Sequence, residues 1–184
     1  MIIFGIDPGS DRTGYGCVRT DGSRHVLVTC GAIATKAKAT FPEKLLVIHS
    51  RLTTLLSECR PDAVAIENLF HAVNARSALT LGHARGVAML AAVEAGVPVF
   101  EYTPAEVKRV VTGYGRAEKP QVQHMIKMLL GLAEAPSPHD AADALAVAVC
   151  HIHSQAPARV AKAMTAASGG RARKAATSWR HYRP

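Results

Sequence analysis

The sequence predicts an α/β domain with a mixed five-stranded sheet flanked by helices, and three observations lead there. The first third carries three β-type segments joined by short turns, as in an antiparallel meander. Beyond it, two short apolar runs, "AVAIE" and "VPVFEY", each follow a stretch of helical periodicity, and strands separated by helices pair in parallel. The chain has 184 residues, 48% apolar and 20% charged, enough for one core of ordinary size.

Each element follows from a local signal. Residues 2–7 (IIFGID) read as a buried strand that ends on a carboxylate, Asp7, and the turn pair Pro8-Gly9. "GYGCVRT" and "HVLVTCGAIAT" are strands on either side of the turn "DGS". From Phe41 to Cys59, Leu45, Leu46, Ile48, Leu52, Leu55 and Leu56 recur at helical spacing until Pro61 stops the run. Residues 63–67 form a fully apolar strand that, like the first, ends on an acid, Glu67. Ala75 to Ala95 is a long alanine-rich helix, and residues 97–102 are the fifth strand. Thr103-Pro104-Ala105-Glu106 has the capping-box form with proline at the first helical position. Two more helices are expected, from Pro120 to Leu132 and from Pro138 to about His153. There is no internal repeat.

Charge divides the chain in two. Residues 155–184 contain Arg159, Lys162, Arg171, Arg173, Lys174, Arg180 and Arg183 and no acid, which accounts for all but one of the +8 net charges. That segment is rich in Ala, Ser and Gly and lacks a sustained apolar period, so it reads as a disordered basic tail on a folded domain of residues 1–154. Such a tail suits non-specific binding of a polyanion through counterion release, or simple solubilisation. No apolar run reaches the length of a membrane span and no basic leader precedes the first strand, so a cytoplasmic protein without membrane contact is expected. Cys17, Cys30, Cys59 and Cys150 have no CxxC spacing and fit reduced thiols.

Four carboxylates carry the chemical signal. Asp7 and Glu67 each end an apolar strand, and parallel neighbours would bring them together at the carboxyl edge of the sheet, where open α/β sheets place their ligands. Asp140 and Asp143 in "PSPHDAADALAVAVC" are spaced i, i+3 on a helix whose remaining residues are Ala, Leu and Val and must pack inward. Four gathered carboxylates repel one another unless a cation joins them, and all-oxygen ligands suit Mg²⁺ or Mn²⁺. Two such ions support in-line phosphodiester hydrolysis. Each acid also has an ordinary alternative. Asp7 fits a turn, Glu67 a loop cap, Asp140 a helix-start position and Asp143 a solvated face.

The motifs "GIDPGSxxTGYG", "AIExxF", "ARG", "FEY", "EKxQVQHM" and "DAADALAxA", in order over residues 2 to about 154, resemble the RuvC family of Holliday-junction resolvases. The resemblance implies a ribonuclease H-like fold and a structure-specific endodeoxyribonuclease acting in DNA recombination and repair. It makes Asp7, Glu67, Asp140 and Asp143 the catalytic acids and ligands of Mg²⁺ (Mn²⁺ as substitute), two ions per site, with products ending in 5′-phosphate and 3′-hydroxyl. His139 beside Asp140 is an alternative third ligand, since some relatives carry histidine there. The resemblance further implies DNA contacts by Lys108 and Lys119 and a base-wedging role for Phe70. Its partners would be four-way junction DNA, a second copy in a homodimer formed through the helix of "GHARGVAMLAAVEAG", and the RuvA-RuvB branch-migration complex.

Lys108 and Lys119, with Arg109, Arg116 and Lys127, make up the locally basic part of the folded domain, which also fits a solvated helix face. Gly9, Gly14 and Gly16 are expected to shape the hairpin and let DNA approach the metals. His71, His124, His151, His153 and Cys150 match no four-ligand zinc spacing. Two rival functions remain at this stage. An actin- or sugar-kinase-like ATPase would explain "GIDPGS", but the chain has no second phosphate loop and no GxxxxGK[ST]. A non-catalytic junction scaffold would explain the basic tail and leave the acids without a role.

Overall fold

A computed structural model describes residues 1–68 and 74–167, without the side chains of residues 156–167. The elements run β1 (Ile2–Asp7), β2 (Arg12–Thr20), β3 (His25–Ala34), α1 (Phe41–Cys59), β4 (Ala63–Glu67), α2 (Ala75–Glu94), β5 (Val99–Tyr102), α3 (Pro104–Thr112), α4 (Lys119–Leu129) and α5 (His139–Ala167). The five strands lie in the order β3-β2-β1-β4-β5. β1 and β3 pair antiparallel with β2, while β4 pairs parallel with β1 and β5, so the sheet is mixed and β1 is its centre.

The helices start where their caps direct. Glu43 Oε2 accepts the Thr40 amide at 2.7 Å, Glu106 Oε2 accepts that of Thr103 at 2.8 Å, and Gln121 Oε1 accepts that of Glu118 at 2.9 Å. Proline occupies an opening position in all three helices, where its missing N–H costs nothing. Each such cap is typically worth about 1 kcal/mol. α1 stops at Arg60, which turns into the left-handed region at φ 45° ahead of Pro61.

Strand pleating sorts the core into two layers. Phe4, Ile6, Cys17, Val64 and Ile66 pack against Ile48, Leu52, Leu55 and Leu56 of α1 and the alanines 84, 88, 91 and 92 of α2. Ile3, Val18, Ala63 and Ala65 face α5, behind which α3 and α4 supply Val107, Val111, Val122 and Ile126. Tyr102 Oη and the buried His151 Nδ1 share a 2.8 Å hydrogen bond that ties β5 to α5.

Most expected boundaries agree to within a few residues. β5 begins at Val99 rather than 97, and α4 ends at Leu129 rather than Leu132. The large departure is α5, which runs to Ala167 instead of ending near His153. The sequence beyond His153 is rich in alanine, whose helix propensity favours continuing the helix past Pro157.

Candidate active site

The alternation that builds the core also aims two acids. On β1, Ile3 faces α5 and Gly5 meets its backbone, so Asp7 continues the same face. On β4, Ala63 and Ala65 face α5, and Glu67 continues that one. With Ile6 opposite Ile66 in the parallel register, the two acids leave adjacent strand ends side by side. Asn68, directly after Glu67, is held in turn: its amide donates to Tyr102 O at 2.7 Å and its side chain to Glu101 at 3.3 Å. Arg85 of α2 pairs with that same Glu101 at 2.5 Å.

α5 brings the other two acids by lying unusually close to the sheet. A Cβ on Gly5 would sit 2.0 Å from Ala144 O, one on Gly14 2.0 Å from Asp140 O, and one on Gly16 2.7 Å from the Leu145 side chain. The helix backbone therefore rests on strand backbone, and Gly14, the register partner of Asp7, sets the height of Asp140 directly. Gly14 and Gly16, expected to shape the hairpin and admit DNA, have a further role: they make room for α5. Gly9 does shape the hairpin, exchanging hydrogen bonds with the Thr13 hydroxyl at 2.7 and 3.3 Å.

Asp7, Glu67, Asp140 and Asp143 line one cleft of about 420 Å³, together with Pro8, Gly9, Arg12, Lys108 and Lys119. Burial, more than any neighbour, pushes the Asp7 carboxyl well above its usual range, and the charge and hydrogen bond of Glu67 push it further. Burial raises Glu67 as well, with the Asp143 charge adding to it. Burial and mutual repulsion thus both oppose full ionisation of the pair. Lys119 Nζ donates to Asp143 Oδ2 at 3.0 Å, which raises the lysine's pKa and fixes its charge. Lys119 opens α4, where a helix dipole disfavours a cation, so the acid cleft supplies the compensation. Arg12 Nη1 lies 3.8 Å from Asp140 Oδ2.

A buried acid pair whose ionisation is opposed by burial, joined by two further carboxylates, is an oxygen donor set suited to Mg²⁺ or Mn²⁺. The side chains as they stand are not closed on one point. Among the described residues no three His, Cys, Asp or Glu groups are arranged to hold an ion, and Asp140 and Asp143 each lie beside a cation, Arg12 and Lys119.

Of the residues singled out in the sequence, the four acids, Lys108 and Lys119 meet in this cleft. His139 does not: it is exposed and contacts Gln123 of α4. Phe70 lies outside the described residues. Arg12 was not singled out, because nothing in "SDRTG" shows that it will face an acid 128 positions later.

A profile of the family described as "Crossover junction endodeoxyribonuclease RuvC" matches residues 3–151. The chain is 53% identical over 154 residues to the crossover junction endodeoxyribonuclease RuvC of Ruminiclostridium cellulolyticum, covering 84% of this chain and 93% of that one. It is 55% identical over 154 residues to that of Alkaliphilus metalliredigens, covering 84% and 94%. Its fold superposes on Thermus thermophilus RuvC in complex with Holliday junction substrate with a TM-score of 0.82 at 38% identity, covering 86% and 96%. The mixed sheet and its helices are thus those of the ribonuclease H-like resolvases.

Proposed function

This chain belongs to the RuvC family of crossover junction endodeoxyribonucleases, and from that premise we propose that it resolves Holliday junctions by paired, metal-dependent nicks in DNA recombination and repair. The observation that supports this best is the convergence of Asp7, Glu67, Asp140 and Asp143 in a cleft edged by lysines. Acids alone repel a phosphodiester, so the arrangement is useful only if cations join it.

Two Mg²⁺ ions, or Mn²⁺, held by the four acids would supply an activated water and stabilisation of the leaving oxygen, giving 5′-phosphate and 3′-hydroxyl ends. The chain's own contribution is positioning. β1 and β4 hold Asp7 and Glu67 on paired strands, and α5 presents Asp140 and Asp143 from a helix seated on the sheet. Lys108 and Lys119 hold the strand's phosphates beside the acids. Phe70, three residues past Glu67, offers an aromatic face to a base at the crossover. The basic residues of 155–184 add sequence-independent affinity for the junction arms.

A junction has near two-fold symmetry, so a homodimer with two opposed sites matches it. The outer face of α2 supports that assembly. Leu79, Leu90 and Val93 are 65%, 51% and 66% exposed there, and Gly82 and Gly86 between them have open space beyond their α-carbons. The RuvA-RuvB branch-migration complex is the partner the family implies. No helix among the described residues is long and apolar enough to cross a membrane.

The test is incubation of the purified protein with a synthetic four-way junction, with linear duplex and with ATP, in Mg²⁺ or Mn²⁺. Paired nicking confined to the junction is expected, falling by about 10³-fold or more in Asp7→Asn, which removes a metal ligand. ATP hydrolysis without nicking, or tight junction binding with no nicking in either metal, would overturn the reading.

A further inference from the structure

The acid cleft carries an imbalance that metal binding must resolve. Its carboxylates come from β1, β4 and α5, and its cations are Arg12 from β2, Lys108 from α3 and Lys119 from α4. Two of these cations already occupy the α5 acids, Lys119 on Asp143 at 3.0 Å and Arg12 on Asp140 at 3.8 Å. A divalent ion drawing on Asp140 or Asp143 therefore competes with a side chain already in place.

The two contacts differ in how readily they yield. Lys119 is itself 72% exposed, but its partner Asp143 is only 19% exposed and the two are within hydrogen-bond distance. Arg12 is 59% exposed, its contact is long, and its Asp140 partner is 32% exposed, so water screens the pair and little holds the guanidinium there. The backbone beneath it is firm by contrast. The fully buried Thr13 is tied to Gly9 in both directions, and Gly9 packs against the Arg12 carbonyl closely enough that a Cβ would approach it to 2.1 Å. Arg12 is thus an exposed, loosely held side chain on a fixed base at the rim of the cleft.

We propose that Arg12 serves two anions in turn: it holds Asp140 while no metal is bound, and passes to a DNA phosphate over the cleft once a divalent cation takes that carboxylate. The inference rests on the nuclease reading above. Once metal charge neutralises the acids, the rim cations are left uncompensated just where a polyanion arrives. Lys108 and Lys119 reach it from α3 and α4, and Arg12 from the β1–β2 hairpin, so the strand is gripped from both walls. A guanidinium suits this exchange, since its planar fork fits carboxylate and phosphate oxygens alike.

Two readouts on the full-length protein test the exchange. Mg²⁺ affinity is measured calorimetrically without DNA, and four-way-junction affinity is measured against salt, in EDTA and in Mg²⁺, on a time-scale shorter than nicking. Arg12→Ala should bind Mg²⁺ more tightly, by roughly two- to fivefold, because a competitor is gone. In Mg²⁺ the same variant should lose about 0.9 from the salt slope, one phosphate contact, with no change in EDTA. Arg12→Lys should keep most of both behaviours. A merely structural arginine would weaken metal and DNA binding together, so weaker or unchanged Mg²⁺ affinity overturns the proposal, as does an unchanged slope in Mg²⁺. If the wild-type protein binds neither Mg²⁺ nor the junction, the nuclease reading itself fails and this inference falls with it.

Discussion

Toward α5 the central strands present Ile3 and Val18 at one end and then, toward the acids, only Gly5, Gly14, Gly16, Ala63 and Ala65; toward α1 and α2 they present Phe4, Ile6, Cys17, Val64 and Ile66. Large side chains absorb small shifts by changing rotamer, so the second face is a conventional core that tolerates conservative change. Near the acids the first face has little to rotate, because at Gly5 and Gly14 helix backbone sits on strand backbone. A shift there moves Asp140 and Asp143 relative to Asp7 and Glu67 with nothing to damp it. The same sheet therefore packs for stability on one side and for position on the other.

Substituting one methyl on each face separates the two roles. Gly14→Ala would drive a Cβ into Asp140 O and lift the start of α5. Nicking should fall by about 10²-fold, the usual penalty for a displacement near 1 Å. Overpacking should cost about 1 to 3 kcal/mol of stability as well. Ile66→Val, a buried change one residue from Glu67 but on the other face, should cost about 0.5 to 1.5 kcal/mol and leave nicking unchanged once folding is corrected for. Equal losses of activity in the two variants, measured under single-turnover conditions, would erase the distinction between the faces.

This contrast also explains what could be read in advance. The layered elements were legible because each is specified locally: the period of α1, the Thr103–Glu106 box, and the apolar runs closed by Asp7 and Glu67. Pairing of the acids followed from strand ends plus helical spacing. The meaning of Gly14 and Gly16 was not legible, since a glycine needed for a turn and one needed for a neighbouring helix look identical until that helix is placed. Arg12 escaped for the same reason, its partner lying on an element distant in sequence. The end of α5 near His153 was not legible, because a basic segment rich in Ala, Ser and Gly without a sustained apolar period reads as a tail, whereas its alanines also permit a helix to continue.

The α1/α2 half has an outward side too, and a charge there should disturb assembly while sparing the site. Leu90→Asp lies on the exposed face of α2, so its effect on folding should stay within about 0.5 kcal/mol. Self-association should weaken by roughly 30-fold if Leu90 is a central contact. Sedimentation would then report a monomer, and a junction held in a plasmid would be nicked once rather than resolved. A dimer formed by both Leu90→Asp and Leu79→Asp would move the proposed interface away from this face.

The smallest effect expected, and the one that most directly reports the strain of the positional face, is on stability in the absence of metal. Asp7 and Glu67 have pKa values raised in the folded state, chiefly by burial, above the 3.8 and 4.5 of the free side chains. Between those values and the raised ones the native protein holds protons that the unfolded chain has released. Stability must then fall as pH rises through that window and level off above it. In a chelator, the melting temperature should drop by a few degrees from about pH 5 to about pH 9. Asp7→Asn should flatten most of that slope and be the more stable protein at the alkaline end, although it has lost the chemistry. Adding Mg²⁺ should restore the wild type at high pH and do much less for the variant, because the cation neutralises the carboxylates that burial penalises. A metal-free wild type whose stability rises over the same range would mean that the acid pair is better solvated than its position at the base of the cleft requires.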